Sequence, residues 1–328
     1  MKILYINANL MDYQQDIIYG GLVKVLGAKN VHPIPFNHSF YFNLRKYPKN
    51  IGYHQGGLFA YLKNRFLSFN YDCVIVSSTK YQSFDFYSEI LDKIPDSCPV
   101  AFLDGGDRAE IGGDLSRLGY PKLYQETIKK RPFDLIFKRE MLKNVDYPTN
   151  VYPCPFAFNM DRIKSIKKHT TKKYDVSFWA NESHKSRTKI FSLLKGKYDC
   201  EENGTIRGFS FGSFQRRGNY YFEELKRCKV VLNIRGAGWD TLRFWEVPAL
   251  STFMLSQKPD IMIPNDFTDE MNIAYFEDDF SDFYEKIDYY LENESVREKI
   301  AFAGYQHLCK YHTDIARAKS IINRISSL

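Results

Sequence analysis

Short apolar runs separated by helix-forming stretches are the feature that most constrains how this chain can fold. Each run is long enough for one buried strand and is bounded by turn residues. Between the first two runs, residues 16–26 have apolar side chains at helical spacing. Strands that alternate with helices predict a parallel sheet with helices on both faces. In the first half of the chain, the predicted strands are Lys2–Asn7, Val31–Pro35, Tyr71–Ser77, Pro99–Leu103 and Phe133–Lys138.

The same alternation restarts in the second half, after a basic stretch near residue 165. The predicted strands there are Tyr174–Trp179, Val230–Ile234 and Thr252–Ser256. A chain of 328 residues is too long for one typical domain and suits two. We therefore predict an α/β protein with two Rossmann-like, doubly wound domains, residues 1–165 and 166–313, that face each other across a cleft. The last helix, within residues 314–328, is expected to pack back on the first domain.

Composition narrows the class of protein further. Hydrophobic residues make up 44% and charged residues 26% of the chain, which is typical of a globular protein and excludes a disordered one. No apolar run approaches the roughly 20 residues that span a bilayer. The cysteines form no CxxC pair, so buried thiols are favoured over metal ligands or disulfides. Because the N-terminus also lacks the pattern of a signal peptide, we expect a cytoplasmic protein.

The net charge of +7 is unevenly distributed along the chain. Residues 162–189 contain nine lysines and arginines but only two acidic side chains. This stretch is either a solvated linker or a contact for an anion. The anion could be a nucleotide diphosphate, an acidic polymer, a membrane surface at which the protein is peripheral, or nucleic acid. Charge alone leaves these alternatives open.

A strand, a glycine turn and a helix start follow one another within residues 230–246. Backbone N–H groups at such a turn can face an anion, and the helix dipole favours negative charge there. A serine, threonine or aspartate at the helix start can accept a hydrogen bond from a free N–H group. The alternative is an ordinary strand-to-helix turn. The residues of the predicted anion site are Arg235, Gly236, Gly238 and Thr241.

Three further positions extend this predicted site. Arg243 and Glu246 are three residues apart and share one face of the helix, where Glu246 could accept hydrogen bonds from two ribose hydroxyls. A surface Arg–Glu pair is the alternative. The basic loop that follows the strand Tyr174–Trp179 contains Lys185 and Arg187, which could reach the phosphates of a donor. The same loop is also explained by a helix that Ser183 caps.

These motifs, in this order, resemble the C-terminal domain of GT-B-fold glycosyltransferases over residues 174–317. The segments that carry the resemblance are 174–181, 222–250, 253–267 and 290–318. They are similar to the spore-maturation-protein-like glycosyl transferases, with a C-terminal domain of the group 1 type, and more distantly to exostosin-type transferases. One turn differs, because Pro248–Thr252 lacks the glycine that is usual in the family. The resemblance implies that Glu246 holds the ribose of a nucleotide-diphosphate sugar, with UDP as the expected nucleotide.

A second candidate site follows the strand Pro99–Leu103, in the segment Asp104-Gly105-Gly106-Asp107. A carboxylate at a strand end could remove the proton from an acceptor hydroxyl in an inverting transfer, and we favour Asp107 slightly over Asp104. A glycine turn with a solvated aspartate is the alternative. Other candidate bases are His32, His38 and His54. A metal site at Asp104, Asp107 and Asp114 is less favoured, because arginines, lysines and helix dipoles can neutralise a diphosphate.

The sequence therefore predicts a metal-independent, hexosyltransferase-type enzyme without a cofactor. It would move a sugar from a nucleotide-diphosphate donor to a hydroxyl of a glycan or another cell-surface polymer precursor, as in polysaccharide biosynthesis. Two alternative functions fit the same sequence features. One is a transferase of the same fold that modifies a DNA base, for which the basic stretch would track phosphates. The other is a protein that binds sugar nucleotides without catalysis.

Overall fold

The computed structural model describes residues 1–41, 70–167, 169–180, 183–198 and 218–328. They form two compact units, each made of more than one segment of the chain. Unit 1 comprises Met1–Asn159, Ile261–Pro264 and Thr313–Leu328. Unit 2 comprises Met160–Asp260 and Asn265–His312. Within the described ranges, no helix is both long and apolar enough to cross a membrane.

Unit 1 contains a six-stranded sheet in which all neighbouring strands are parallel. Its spatial order is β2-β1-β3-β4-β5-β6. The carboxyl ends of all six strands therefore lie at one edge of the sheet, where a doubly wound fold places its ligands. The strands are β1 (Ile3–Ile6), β2 (Val31–Ile34), β3 (Cys73–Val76), β4 (Val100–Asp104), β5 (Leu135–Lys138) and β6 (Val151–Pro153).

Helices cover both faces of this sheet because side chains of each strand alternate between the faces. Ile3 and Tyr5 of β1 lie in one buried cluster, whereas Leu4 and Ile6 lie in the other. The helices of unit 1 are α1 (Tyr13–Leu26), α2 (His38–Tyr41), α3 (Tyr81–Ile90), α4 (Gly113–Arg117), α5 (Leu123–Lys130) and α11 (Asp314–Ile325).

The last helix, α11, packs against α1 in unit 1, with Ala318 and Ile321 in the same buried cluster as Leu22. The two helices approach very closely at Gly21, because a Cβ atom there would lie 2.2 Å from the carbonyl oxygen of Asp314. Lys24 of α1 adds an ion pair of 2.7 Å with Asp314. Residues 313–328 are thus an integral part of unit 1.

Unit 2 contains a four-stranded parallel sheet with the order β10-β9-β8-β7. Its strands are β7 (Tyr174–Ser177), β8 (Cys228–Asn233), β9 (Met254–Gln257) and β10 (Ala274–Phe276). Its helices are α6 (Lys185–Leu194), α7 (Gly218–Lys226), α8 (Leu242–Ala249), α9 (Phe283–Glu292) and α10 (Glu294–Tyr311). Val176, Leu232 and Leu255 of successive strands form its core with Phe283 and Ile300 from the last two helices.

The predicted strands are all present in the described residues, shifted by at most a few residues at their ends. The prediction missed β6 and β10, because the three residues of each, Val151–Pro153 and Ala274–Phe276, are too few to show a period. The predicted end of one strand also moves, since β4 runs through Asp104. This shift decides the environment of Asp104.

Candidate functional site

Basic side chains converge at the carboxyl ends of β7 and β8 in unit 2. Arg187, in the first turn of α6, donates a hydrogen bond from Nε to the carbonyl oxygen of Arg235, at 3.0 Å, and one from Nη2 to that of Ile234, at 3.1 Å. The guanidinium therefore lies against the turn that follows β8. At Gly236, a Cβ atom would lie 3.2 Å from Nη2 of Arg187, so glycine gives the guanidinium room at this turn.

Arg243 joins the ends of the same two strands from α8. Its Nη1 donates to the carbonyl oxygen of Leu232 in β8, at 3.4 Å, and its Nη2 donates to that of Trp179, just after β7. Its guanidinium carbon lies 5.4 Å from the centre of the Phe178 ring. Arg243 thus connects α8 to the ends of β7 and β8, and its positive charge lies close to that of Arg187.

The glycine turn itself is closed by internal contacts. The N–H of Gly236 donates to the carbonyl oxygen of Gly238, at 2.9 Å, so this N–H group is not directed at an anion as the sequence suggested. Thr241 caps α8 as predicted and donates from Oγ1 to Asn233, at 2.7 Å. Arg235 is half-buried, and its guanidinium carbon lies 4.0 Å from the centre of the Trp239 ring. That stacking fixes the guanidinium at the turn.

The electrostatic environment at this edge is strongly positive. Burial, with a further contribution from the neighbouring charge of Arg243, lowers the pKa of Arg187 to about 10. Burial also lowers the pKa of His184, with added contributions from Arg235, Lys185 and Arg187. Burial is the larger cause of both shifts, and the contributions of the neighbouring cations show that positive charges lie close together here, as in a site that attracts anions. Lys185 is exposed at the first turn of α6.

Glu246 has a different environment from the one the sequence suggested. It is 1% exposed and accepts hydrogen bonds from Arg162, at 2.9 Å, and from Tyr221, at 3.0 Å. Burial and the charge of Glu246 raise the pKa of the Tyr221 hydroxyl. Both carboxylate oxygens thus have partners within unit 2. Sequence reasoning missed Arg162, because it precedes Glu246 by 84 positions and no local pattern connects them.

In unit 1, Asp104 is fully engaged at the end of β4. It is 1% exposed and accepts hydrogen bonds from the N–H groups of Gly106 and Gly112, at 3.3 and 2.9 Å. It also forms an ion pair of 3.0 Å with Lys138, which is 0% exposed at the end of the neighbouring strand β5. Asp104 therefore fixes the loop after β4, and almost none of its surface is accessible to an acceptor.

Asp107 is the more accessible of the two predicted bases. Its side chain is 36% exposed and forms an ion pair with Arg139, which is 3% exposed. Arg139 is held in turn by the carbonyl oxygen of Gly105, at 2.9 Å, and by Glu140, at 3.2 Å. The position of Asp107 is thus defined by a buried cation, while part of its carboxylate faces solvent.

The glycines between these aspartates serve packing. A Cβ atom at Gly105 would lie 2.7 Å from Cβ of Gln14 in α1, and one at Gly106 would lie 2.9 Å from Cβ of Asp114. Asp114 accepts two hydrogen bonds from Arg117, at 3.2 and 3.0 Å. Burial opposes ionisation of Asp114, but Arg117 and the N–H of Asp107 lower its pKa overall. Asp104, Asp107 and Asp114 therefore each have a separate cation.

The described part of the chain contains no group of three or more His, Cys, Asp or Glu side chains arranged to hold a metal ion. Of the alternative bases, His32 is in β2, where its Nδ1 lies 2.5 Å from the hydroxyl oxygen of Tyr71. His54 lies outside the described residues. His38 is exposed at the start of α2.

A cavity of about 370 Å³ adjoins His38 at the carboxyl ends of β1 and β2. Among the side chains that line this cavity, Asp16 is unusual because it is a buried carboxylate. It is 1% exposed and accepts a hydrogen bond from Gln15 at 3.2 Å. Burial raises the pKa of Asp16 well above its usual value, and the charge of Asp12 raises it further. Sequence reasoning had assigned residue 16 only to a helix. The lining residues are Asn9, Leu10, Met11, Asp16, Asn37, His38 and Ser39.

Comparisons with solved structures define the fold of this protein. An alpha-glucosyltransferase in complex with UDP and a 13-mer DNA is 12% identical, with a TM-score of 0.59 over 99% of this chain and 98% of that one. A glycosyltransferase from Rickettsia africae is 10% identical, with a TM-score of 0.59 over 99% and 98%. HepE from Anabaena, in complex with UDP, is 10% identical, with a TM-score of 0.58 over 100% of both chains. The predicted fold is thus confirmed: the protein has the GT-B fold of glycosyltransferases, with two Rossmann-like sheets.

The C-terminal region carries a further similarity. Residues 200–323 match the family described as glycosyl transferase-like. This match overlaps residues 174–317, where the sequence resembles GT-B-fold glycosyltransferases. A search of curated proteins finds no match to the chain.

The raised pKa of Asp16 leads to a stability prediction. Because the folded state holds this proton more tightly than the unfolded state, its contribution is fully present below about pH 4, the unfolded value, and is lost as the pH rises through the folded value. We therefore expect Asp16→Asn to raise the melting temperature at neutral pH and to change it little near pH 4.

The matched control is Asp92→Asn, which alters an exposed carboxylate of the same unit. Its melting temperature should equal that of the unsubstituted protein at neutral pH. A lower melting temperature for Asp16→Asn at neutral pH would show that Asp16 is ionised and stabilising.

Proposed function

We propose that this glycosyltransferase uses a nucleoside-diphosphate sugar, with UDP as the nucleotide, and that the diphosphate binds at the carboxyl edge of the unit 2 sheet. The observation that carries this proposal is the convergence of Arg187, Arg235 and Arg243 at the ends of β7 and β8, where backbone carbonyl oxygens hold Arg187 and Arg243 in place. Complexes of HepE with UDP and with UDP-glucose support the choice of nucleotide.

The chemical role of these cations is to stabilise the leaving group. As the bond to the sugar breaks, negative charge grows on the diphosphate, and fixed positive groups lower the energy of that transition state. Lys185, Arg187, Arg235 and Arg243 would supply the charge. Because Arg187, Arg235 and Arg243 are held by backbone carbonyls or by an aromatic ring, they need little reorganisation. We propose that they replace a metal ion in this role.

The acceptor base is proposed to be Asp107, in an inverting transfer of a hexosyl group to a hydroxyl of a glycan or other cell-surface polymer precursor. The Asp107 carboxylate is partly exposed, and its ion pair with Arg139 fixes its position. Both properties suit a base that accepts a proton from a substrate hydroxyl. Asp104 stabilises the same loop by accepting hydrogen bonds from the N–H groups of Gly106 and Gly112. The basic stretch 162–189 would contact an anionic acceptor or a membrane surface, which fits a cytoplasmic protein that is peripheral at the membrane.

A second candidate function is the same transfer to a modified base in DNA. The net charge of +7 favours it, and an alpha-glucosyltransferase of the same fold is known in complex with UDP and DNA containing an HMU base. Acceptor binding would then weaken steeply with salt, because counterions are released from the phosphates. A glycan acceptor would give a shallow salt dependence. A protein that binds UDP-sugars without turnover would be the non-catalytic alternative.

Arg235 gives the sharpest test of the donor site, because its guanidinium stacks on Trp239 at the surface of the turn. Arg235→Ala should weaken UDP binding about ten- to a hundredfold through the loss of a charge-assisted hydrogen bond. Binding of uridine, which lacks phosphate, should stay unchanged. Calorimetric titrations in the presence of EDTA measure both and also show whether UDP binds without a divalent metal.

Lys310→Ala, which removes an exposed cation of α10 in the same unit, is the matched control and should bind UDP normally. Equal losses for UDP and uridine in Arg235→Ala would make the arginine a structural group. UDP binding that requires a divalent metal would contradict the metal-independent mechanism.

Glu246→Gln separates the structural role of this carboxylate from the predicted ribose contact. Loss of the charged partner of Arg162 should lower the free energy of unfolding by about 1–3 kcal/mol. If each oxygen also accepts a ribose hydroxyl through its second lone pair, UDP and uridine should both bind at least about tenfold more weakly. Chemical denaturation and calorimetry measure the two effects.

Glu285→Gln, at an exposed position of α9, is the control and should change neither quantity. A less stable Glu246→Gln protein with unchanged uridine affinity would refute the ribose contact.

Asp107→Asn should lower the rate of UDP release from UDP-glucose, with water or an added glycan as acceptor, by about 10²–10⁴ while UDP affinity is retained. Glu110→Gln, an exposed carboxylate in the following loop, is the control and should remain active. Near-normal turnover in Asp107→Asn would exclude Asp107 as the base. The cavity beside His38 would then be the next place to look.

A further inference from the structure

Two adjoining cavities lie at the amino ends of β7, β8 and β9 in unit 2, the opposite edge of the sheet from the proposed diphosphate site. Their volumes are about 320 and 570 Å³. They share one wall, so we treat them as a single groove, called here the amino-edge groove. The shared residues are His169, Lys226, Leu250, Ser251 and Phe302. None of the proposed donor-binding residues lines it.

One end of the amino-edge groove is cationic. It is lined by Lys172, Lys226, Lys229 and Arg297, with Glu298 as the only acidic residue among its lining residues. Nζ of Lys172 donates to the carbonyl oxygen of Lys226, at 3.0 Å, and Arg297 is 3% exposed. Burial lowers the pKa of Lys172, and the charges of Arg297 and Lys226 act in the same direction. Two of these cations have acidic partners, because Asp175 pairs with Lys229 at 2.7 Å and Glu294 pairs with Arg297 at 3.6 Å. Lys172 and Lys226 are therefore the cations best suited to an anionic ligand.

The other end of the amino-edge groove is mainly apolar, although Lys164 also lines it. Phe302 of α10 is 56% exposed, which is unusual for an aromatic ring beside other apolar side chains. An apolar surface next to a cluster of cations is complementary to an amphiphile with an anionic head. The apolar lining residues are Met160, Ile163, Ile166, Ala249, Leu250, Phe302 and Tyr305.

The shared wall contains a strained residue. Ser251 follows α8 with a φ of 50°, in the left-handed region that favours glycine. Strain of this kind persists where the surrounding structure holds it, often at ligand sites. Here it places a residue with a hydroxyl group in the wall that both cavities share, where glycine would offer no side-chain donor.

We propose that the amino-edge groove binds an anionic phospholipid, with the phosphate at Lys172 and Lys226 and the first part of the acyl chain against Phe302 and Leu250. This inference deepens the proposed membrane contact and assigns it to a defined site. A lipid is favoured over nucleic acid because Lys172, Lys229 and Arg297 lie at one end, whereas the other end adds Lys164 to mainly apolar side chains. Nucleic acid would need closely spaced cations along the whole path.

Vesicle binding by the full chain tests the proposal. The unsubstituted protein should sediment with phosphatidylcholine vesicles that contain phosphatidylglycerol and not with phosphatidylcholine alone. Lys172→Gln/Lys226→Gln should weaken binding to the anionic vesicles about thirtyfold, at about fivefold for each lysine. Phe302→Ser should also weaken vesicle binding but should leave the weak binding of soluble glycerol phosphate unchanged, since only the lipid has a chain.

Lys195→Gln/Lys310→Gln is the charge-matched control, because both lysines are exposed in unit 2 outside the groove. It should bind vesicles normally. Equal weakening in the two double variants, or no binding of the unsubstituted protein to anionic vesicles, would overturn the proposal. So would a larger loss of oligonucleotide binding than of vesicle binding in Lys172→Gln/Lys226→Gln.

UDP affinity and melting temperature are measured on the same samples. UDP affinity should be unchanged in the groove variants, because the groove and the donor site are at opposite edges of the sheet, and the melting temperature shows whether each variant is folded. A failure of vesicle binding with intact UDP binding would therefore refute the groove alone. Loss of UDP binding in the unsubstituted protein would refute the donor site alone.

Discussion

The arrangement of side chains at the carboxyl edges of these two sheets depends on how the backbone carbonyl groups at the ends of the parallel strands are hydrogen-bonded. In a parallel sheet, all strands end at the same edge, and the carbonyl groups of the following loops leave the ladder together. In unit 2, Arg187 and Arg243 bind four of these carbonyl oxygens. In unit 1, Lys138 and Arg139 do the same for Arg108 and Gly105. Cations are therefore built into both edges for a structural reason.

Both units place cations at the carboxyl edge of the sheet, but the resulting electrostatic environments differ. In unit 1 the cations are matched by acids, since Lys138 pairs with Asp104 and Arg139 pairs with Asp107 and Glu140. In unit 2, Arg187 and Arg243 bind neutral carbonyl groups, and burial together with the neighbouring charge of Arg243 lowers the pKa of Arg187. An anionic donor is expected to prefer the second environment. A neutral hydroxyl acceptor that must lose a proton suits the first, where a carboxylate is fixed but partly exposed.

The sequence predicts the fold well because the information for each strand is local. Val100–Asp104 and Cys228–Asn233, for example, consist mainly of apolar residues, so the burial of each strand can be predicted from its own residues. Site environments depend on residues far apart, and these were not predictable. The sequence favours Asp107 only slightly over Asp104, but Lys138, 34 positions from Asp104, holds Asp104 in a buried ion pair. Glu246 looks like an exposed helix carboxylate until Arg162 and Tyr221 are placed beside it.

The same reasoning explains why the amino edge of the unit 2 sheet differs from the carboxyl edge. At amino ends, the free groups are N–H donors, and cations there cannot satisfy them. Lys172 instead binds the carbonyl oxygen of Lys226 at the end of α7, where the negative end of the helix dipole favours an ammonium group. The cluster of cations at this edge thus follows from helix ends, not from strand ends. It is a separate electrostatic feature, so the chemistry of the amino-edge groove can vary without any change at the proposed donor site.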